Sequence, residues 1–287
     1  MADVHCLVVS LPYSNMRLCV ALPGENAECL CHGLMLVFEH IGGVPPVIVM
    51  DNATGAGRRN AKGEVALTGV FSAFVAHYRL EVRFCNPYSG NEKGSVENAV
   101  GFLRRNLMVP PMRAESYGQL SRLLLERCDG LARDSYCPRL LDVPVAEVFD
   151  EERAALMPLP STAFDPVRWE SRTADKYGLV DIDSNRYLAG PDSARSRVLA
   201  AIRWDTVTLC LCSISCCGFS HDDFSGLGRA CRPRNGLNWM VLVSPPERTG
   251  KDYDQHAPST VYPSFAAERG IRRVDRAENT CQRADGA

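Results

Sequence analysis

The chain has 287 residues, of which 46% are apolar, so it can bury one large or two ordinary hydrophobic cores. A formal net charge of −2 and a pI near 6.3 lower the expectation of nucleic-acid binding, but they leave room for a local basic face. No apolar run is long enough to span a bilayer, and the thirteen cysteines are too scattered for a secreted disulfide framework. We expect a cytoplasmic protein with free thiols and no membrane partner.

Hydrophobic spacing in the first part of the chain predicts alternating strands and helices, typical of an α/β sheet. Strands are predicted at 4–11, 17–22, 47–51 and 81–85, and helices at 25–41, 64–78 and 92–107. A further helix at 117–132 is predicted to lie outside this first sheet. After a proline-punctuated linker with a short helix near 145–156, short strands are predicted at 177–180, 185–188 and 197–209.

Two carboxylates stand out in this pattern. Asp51 ends a short, unbroken apolar run, which predicts a buried strand with the acid at its carboxyl end. Glu97 shares one face of its predicted helix with Lys93 and Arg104. Two converging carboxylates can hold hard divalent cations, and the flanking cations can hold phosphates.

Several motifs occur in a fixed order along the same stretch. They are Leu11-Pro12-Tyr13-Ser14, Gly42-Gly43-Val44-Pro45, Asp51-Asn52, Arg83-Phe84-Cys85-Asn86-Pro87 and Glu92-Lys93-Gly94-Ser95-Val96-Glu97-Asn98. Their order and spacing resemble the catalytic core of IstA-type insertion-sequence transposases, members of the DDE transposase and retroviral-integrase superfamily.

The resemblance implies a ribonuclease-H-like mixed sheet with flanking helices over 1–112. A helical connector over 113–160 and a small β-barrel-like domain over 161–210 would follow. The character of the sequence changes beyond Cys210 and the resemblance is lost from Phe219 onward, so 211–287 is predicted to be an atypical, disordered tail.

The resemblance also implies DNA integration and recombination by metal-dependent polynucleotidyl transfer. In that family three acids bind two Mg²⁺ (or Mn²⁺) ions, and Asp51 matches the second acid and Glu97 the third. If 4–11 is the family's first strand, Asp3 stands just ahead of it as the first acid. If 4–11 is the second strand, the first strand and its acid are missing. The motif at 11–14 favours the second register, so we expect a chain truncated at its N-terminus and impaired in catalysis.

Basic residues near the two acids are candidate DNA contacts. Three lie in a predicted flexible loop over 55–63 and three on the helix of Glu97, namely Arg58, Arg59 and Lys62, and Lys93, Arg104 and Arg105. A solvated surface loop explains the first three equally well. The resemblance further implies self-association on DNA and an ATPase helper protein from the same element.

Two other functions remain open. The chain could be a non-catalytic DNA-binding remnant that interferes with an intact transposase. It could also be a zinc-dependent interaction module built on Cys212, Cys216, Cys217 and His221, whose spacing could close around one ion.

Overall fold

The computed structural model describes residues 4–50, 55–60, 64–85, 90–107, 112–140, 142–211, 216–220 and 239–244. For 90–98, 211, 216–220 and 239–244 it describes the backbone alone. All these residues belong to one compact unit that spans Met1–Glu247.

Strands and helices alternate through the first part of the chain, and strands alone follow. The elements are β1 (His5–Leu11), β2 (Met16–Leu22), α1 (Ala27–Ile41), β3 (Val47–Met50), β4 (Gly57–Arg59), β5 (Val65–Leu67), α2 (Gly69–Tyr78), β6 (Glu81–Phe84), α3 (Gly90–Leu107), α4 (Tyr117–Asp134), α5 (Val145–Arg153), β7 (Arg168–Thr173), β8 (Leu179–Ile182), β9 (Asn185–Leu188), β10 (Arg197–Ile202), β11 (Thr206–Leu211), β12 (Cys216–Ser220) and β13 (Trp239–Ser244). The prediction of an α/β fold is confirmed.

The main sheet has five strands in the order β2-β1-β13-β3-β6. β1 and β2 form an antiparallel hairpin, whereas β3 and β6 run parallel. β13 lies between the two pairs, parallel to β1 and antiparallel to β3. Every residue of β1 is buried, because its near-continuous apolar run has packed elements on both faces.

Helix α1 begins and ends where its capping residues dictate. The Asn26 side chain accepts a hydrogen bond from the Cys29 N–H, which satisfies one free donor of the first turn. At the other end Gly42 takes a left-handed conformation, with φ of 76°, that glycine adopts without steric cost. Between these caps Leu30, Leu34 and Phe38 are buried against the sheet.

The predicted helix over 64–78 is wrong in its first turn. Val65–Leu67 instead forms β5, which pairs with β4 as a small antiparallel hairpin. The helix begins only after Thr68, whose hydroxyl accepts a hydrogen bond from the Phe71 N–H. Apolar spacing alone did not separate a three-residue strand from a helical turn, since both fit the same short run.

Helix α4 covers the free edge of β2. The Ser121 hydroxyl accepts from the Ala21 N–H and donates to the Ala21 carbonyl, both at 3.0 Å. Leu124, Leu125 and Cys128 of the same helix are buried in the core of the main sheet. The sequence places this helix in a connector, whereas the structure packs it as a layer of the first core.

A second group of strands follows, here called the β region (residues 168–211 and 216–220). β7, β10, β11 and β12 form an antiparallel four-stranded sheet, and β8 and β9 form a hairpin. The described strands form open sheets and not the closed barrel that the resemblance implied. β7 was missed because Arg168, Glu170 and Arg172 make its sequence highly polar.

Two segments of the predicted tail lie in sheets, namely β12 in the β region and β13 in the main sheet. The rest of that tail lies outside the described residues. Within the described part of the chain, none of the helices has the length and apolar character needed to cross a membrane.

Candidate functional site

The candidate site lies where β3 and β6 end. The two strands are parallel and in register from Val47 with Glu81 to Met50 with Phe84, so their carboxyl ends meet at one edge of the sheet. The Cys85 N–H donates to the Met50 carbonyl at 2.9 Å, and this hydrogen bond holds the carboxyl ends of β3 and β6 together. Asp51 directly follows Met50, but the acid itself lies outside the described residues, as does Asp3.

The β4–β5 hairpin stands beside this edge. Arg58 and Arg59 are exposed, and the Arg59 guanidinium donates to the Cys85 carbonyl at 3.3 Å, at the exit of β6. A side chain at Gly57 would meet the Ala66 carbonyl oxygen at 2.3 Å, so this close pairing requires glycine. Residues 57–59 of the predicted flexible loop instead form strand β4, which pairs with β5. Lys62 lies outside the described residues.

Helix α3 carries the other predicted residues. Ala99, Leu103 and Leu107 are buried in the main core and fix the inner face of the helix. Arg104 and Arg105 are exposed, as DNA contacts require. The backbone of Lys93 and Glu97 belongs to the helix, but their side chains lie outside the described part, so their distance to Asp51 stays a prediction.

A cleft of about 790 Å³ opens between the starts of α1 and α2 and strand β7. Asn26 and Thr68, the N-terminal caps of the two helices, line one wall together with Arg58. Arg168 and Trp169 line the other wall, and Trp169 is 53% exposed. Helix starts and arginines favour anions, but Glu28, Asp165 and Asp183 also line the cleft and oppose them. The exposed indole offers a flat face for stacking. Sequence analysis missed both β7 residues, because the strand was not predicted.

Two contacts join the β region to the main core beside this cleft. The Arg168 Nε donates to a Glu28 Oε at 2.7 Å, and the Glu28 side chain is only 2% exposed. Arg168 also pairs with Glu170 of its own strand and with Asp183 in the turn between β8 and β9, so it links α1, β7 and that turn. On the same side the ring of Trp204 stacks on His32 at a centroid distance of 3.9 Å.

Burial sets the protonation of the groups inside the fold. It lowers the pKa of His32 to about 4, with Asp205 opposing the shift, so this imidazole is neutral at pH 7. Burial raises the pKa of Cys29 and of Cys128 to about 12. These thiols therefore stay protonated and are unsuited to nucleophilic catalysis.

The donor chemistry of Asp51 and Glu97 fits a hard divalent cation, since both supply carboxylate oxygens. Elsewhere, the described residues include no group of three His, Cys, Asp or Glu side chains able to hold a metal ion. Of the predicted zinc ligands, Cys216 and Cys217 lie in β12, where the backbone alone is described, and Cys212 and His221 lie outside the described residues.

Comparisons with known proteins give one consistent result. The chain is 30% identical over 221 residues to the transposase of insertion sequences IS1326/IS1353 from Pseudomonas aeruginosa, a match that covers 77% of this chain and 43% of the relative. It is 27% identical over 184 residues to the IS21 transposase from the same organism, covering 64% of this chain and 47% of the relative. A transposase from Aminobacter aminovorans is 30% identical over 200 residues, with coverages of 69% and 39%. No protein-family model matches the sequence.

These similarities identify the chain as a relative of insertion-sequence transposases. More specifically, it belongs with the IS21-type transposases, which confirms the resemblance found in the motifs. The chain spans less than half the length of these curated relatives.

Proposed function

We propose that this chain acts on DNA in transposition and recombination, through metal-dependent polynucleotidyl transfer at the carboxyl end of β3. The observation that carries the proposal is the chain's similarity to insertion-sequence transposases, which reaches 77% of its length. Strand β3, which ends at Met50 just before Asp51 in the sequence, supports the placement of the site. A core with an antiparallel hairpin, a parallel strand pair and flanking helices supports a ribonuclease-H-like fold.

In this proposal Asp51 and Glu97 would hold Mg²⁺ or Mn²⁺, and the bound metal would supply activation of the attacking oxygen and stabilisation of the leaving oxygen of the phosphodiester. The protein's own part is to present both carboxylates at one sheet edge and to hold the DNA backbone beside them. Arg58, Arg104 and Arg105 are exposed and suited to phosphate contacts. Self-association on DNA and an ATPase helper belong to the same proposal.

The proposed activity is expected to be weak. β3 pairs on one side with β13, whose sequence Trp-Met-Val-Leu-Val-Ser has no acid, and on the other with β6. The acid of β6, Glu81, is opposite Val47 at the far end of the strand. The strands described beside β3 therefore add no third carboxylate next to Asp51, and two acids hold a metal pair poorly.

This observation also favours the second candidate function, a non-catalytic DNA-binding protein that interferes with intact transposase. The two functions differ in a single assay, Mg²⁺- or Mn²⁺-dependent nicking and strand transfer on plasmid DNA. Asp51→Asn and Glu97→Gln should each abolish any activity, because each removes a charged ligand and keeps the side-chain shape. Glu147→Gln, an exposed acid on α5, is the matched control and should leave activity unchanged.

If the wild-type chain shows no activity but still binds DNA, the second function holds. Activity that survives in both Asp51→Asn and Glu97→Gln would refute the proposed site.

DNA binding is tested separately. Replacing Arg58, Arg104 and Arg105 with alanine should weaken binding and flatten its salt dependence by about one unit of slope for each phosphate that is no longer neutralised. Arg122→Ala, an exposed arginine on α4, serves as the control. If the triple variant and the control bind DNA with equal affinity and equal salt dependence, these three arginines do not contact DNA.

A further inference from the structure

The last described strand of the chain lies in the middle of the main sheet. β13 pairs with β1 over four residues, from Leu7 with Trp239 to Ser10 with Leu242. On its other side it pairs with β3 over four residues, from Met50 with Val241 to Val47 with Ser244. Without β13, the described strands of this sheet fall into two separate pairs, β2–β1 and β3–β6.

Two separate strand pairs would be less stable than one continuous sheet. Each would expose a row of unpaired N–H and C=O groups along β1 or β3, and pairs of strands are only marginally stable alone. The exposed row of β1 would lie in a strand whose seven residues are all buried in the folded chain. The space between β1 and β3 therefore requires an occupant.

The geometry of this space fixes what can enter it. β13 is parallel to β1 and antiparallel to β3, so β1 and β3 run in opposite directions. A strand inserted in either direction then makes one parallel and one antiparallel ladder, so the space does not select direction. It selects an extended segment of about six residues that can pair on both edges, and a central strand favours apolar residues.

The sequence of β13 meets this requirement. Five of the six residues of Trp239–Ser244 are apolar, and two of them are the β-branched residue valine. Its ladders are short, with four pairs on each side against seven between β1 and β2. A short turn joins β1 to β2, whereas β13 follows both of its neighbours β1 and β3 by more than 180 residues of chain. No short turn therefore ties β13 to either neighbour, and it can leave the sheet without breaking a hairpin.

We propose that the space between β1 and β3 is a binding slot for an apolar extended peptide, and that Trp239–Ser244 of the same chain is its exchangeable ligand. The slot gives its occupant main-chain hydrogen bonds on both edges, as in strand addition but with two partners. This inference goes beyond the proposed function and does not depend on it.

Hydrogen exchange on the wild-type full chain is the first test. The amides of 239–244 should be protected together with those of 7–10 and 47–50. Exchange of 239–244 at the rate of an unstructured chain would overturn the proposal, whatever any variant does.

The second test opens the slot in the full chain. In the double variant Val241→Pro/Leu242→Pro, two consecutive N–H groups are lost, and consecutive N–H groups of a central strand point to opposite neighbours. Protection at 7–10 and 47–50 should disappear, while β10 and β11 keep theirs. The control Val241→Ile/Leu242→Val retains both N–H groups and the apolar character, and should behave as wild type.

The third test refills the slot. A synthetic peptide with residues 239–244 between flanking lysines should bind the proline variant one to one and restore protection at 7–10 and 47–50. The wild-type chain, with its slot filled, should not bind the peptide, and a peptide of scrambled order should restore less protection.

A proline variant that keeps its β-region protection yet is not rescued by the peptide would refute an exchangeable slot. A wild-type dimer whose 239–244 strand pairs with the other copy would refute the intramolecular assignment.

Discussion

The core around the main sheet and the β region are held together by different means. The main core is one cluster of buried apolar side chains from five helices and the sheet, and Phe38, Phe71, Phe74 and Tyr78 form a continuous set of ring contacts inside it. The β region has a smaller cluster of its own. It contacts the main core through the ion pair of Arg168 with Glu28 and the stack of Trp204 on His32. Apolar burial thus stabilises the first region, whereas polar and ring contacts fix the junction.

The comparison predicts the largest loss of stability inside the main core. Phe74→Ala should lower the free energy of unfolding by about 3–5 kcal/mol, because it empties a fully buried site. Urea unfolding followed by circular dichroism measures the loss. Trp169→Ala removes a larger but 53% exposed aromatic from the β region and should cost below about 0.5 kcal/mol. Similar losses of unfolding free energy in both variants would contradict the contrast between the main core and the β region.

The second effect concerns the ion pair at the junction. Arg168→Met should cost about 2–4 kcal/mol, because it leaves the buried Glu28 carboxylate without its cation. The double variant Glu28→Gln/Arg168→Met should recover much of the loss, since no buried charge remains. Arg186→Met breaks the exposed pair with Asp181 and should cause no measurable change. A double variant as unstable as the single one would show that packing, and not charge, holds the junction.

The third effect tests what the stack of Trp204 on His32 does at the junction. Trp204→Ala should raise the pKa of His32 from about 4 towards its ordinary value near 6.5, because water reaches the exposed imidazole. Since the folded-state pKa lies below the unfolded value, wild-type stability falls as the pH drops from 6.5 towards 4. That fall should be shallower in the variant.

NMR titration of the His32 ring follows this pKa directly. Trp169→Ala, in the same region but away from His32, is the control. An unchanged His32 titration in Trp204→Ala would mean that other neighbours exclude water from the ring.

The smallest effect lies inside the main core and has the opposite pH dependence. Burial raises the pKa of Glu152, which accepts a hydrogen bond from the Ser14 N–H. A raised carboxyl pKa makes the folded chain lose stability as the pH rises through it from 4.5. Glu152→Gln should therefore stabilise the chain at pH 7 by less than about 1 kcal/mol, because the hydrogen bonds from Ser14 and the charge of Arg139 already offset part of the cost of burying the carboxylate.

Thermal unfolding at pH 7 and at pH 4 tests this expectation. The gain from Glu152→Gln should vanish at the lower pH, where the wild-type carboxyl is already protonated. A gain of equal size at both values would assign it to packing instead of charge.

The sequence predicted the main core better than the junction for a physical reason. Leu30, Leu34 and Phe38 recur at helical spacing, and periodic burial makes that spacing visible. Arg168 and Trp204 act through single contacts with α1, more than a hundred residues away in sequence, and no local pattern encodes them. β13 was missed for the same reason, because its partners β1 and β3 lie at the other end of the chain.

The candidate site could likewise be predicted from the sequence only in part. The end of β3 could be predicted, because a short apolar run followed by Asp51 marks the exit of a buried strand. The hairpin that brings Arg59 to the exit of β6 could not, since its pairing depends on Gly57 lying against the backbone of Ala66. The contact between Asp51 and Glu97 remains a prediction.

The hydrogen bonds of Ser121 also limit how copies of this chain can meet. An exposed edge strand invites another chain to continue the sheet, which is a common route to aggregation. At β2 the Ala21 N–H and C=O are already occupied by the Ser121 hydroxyl, and the rest of α4 lies along the strand. Copies that gather on DNA are therefore expected to meet through other surfaces, because α4 and its Ser121 keep this end of the sheet from growing.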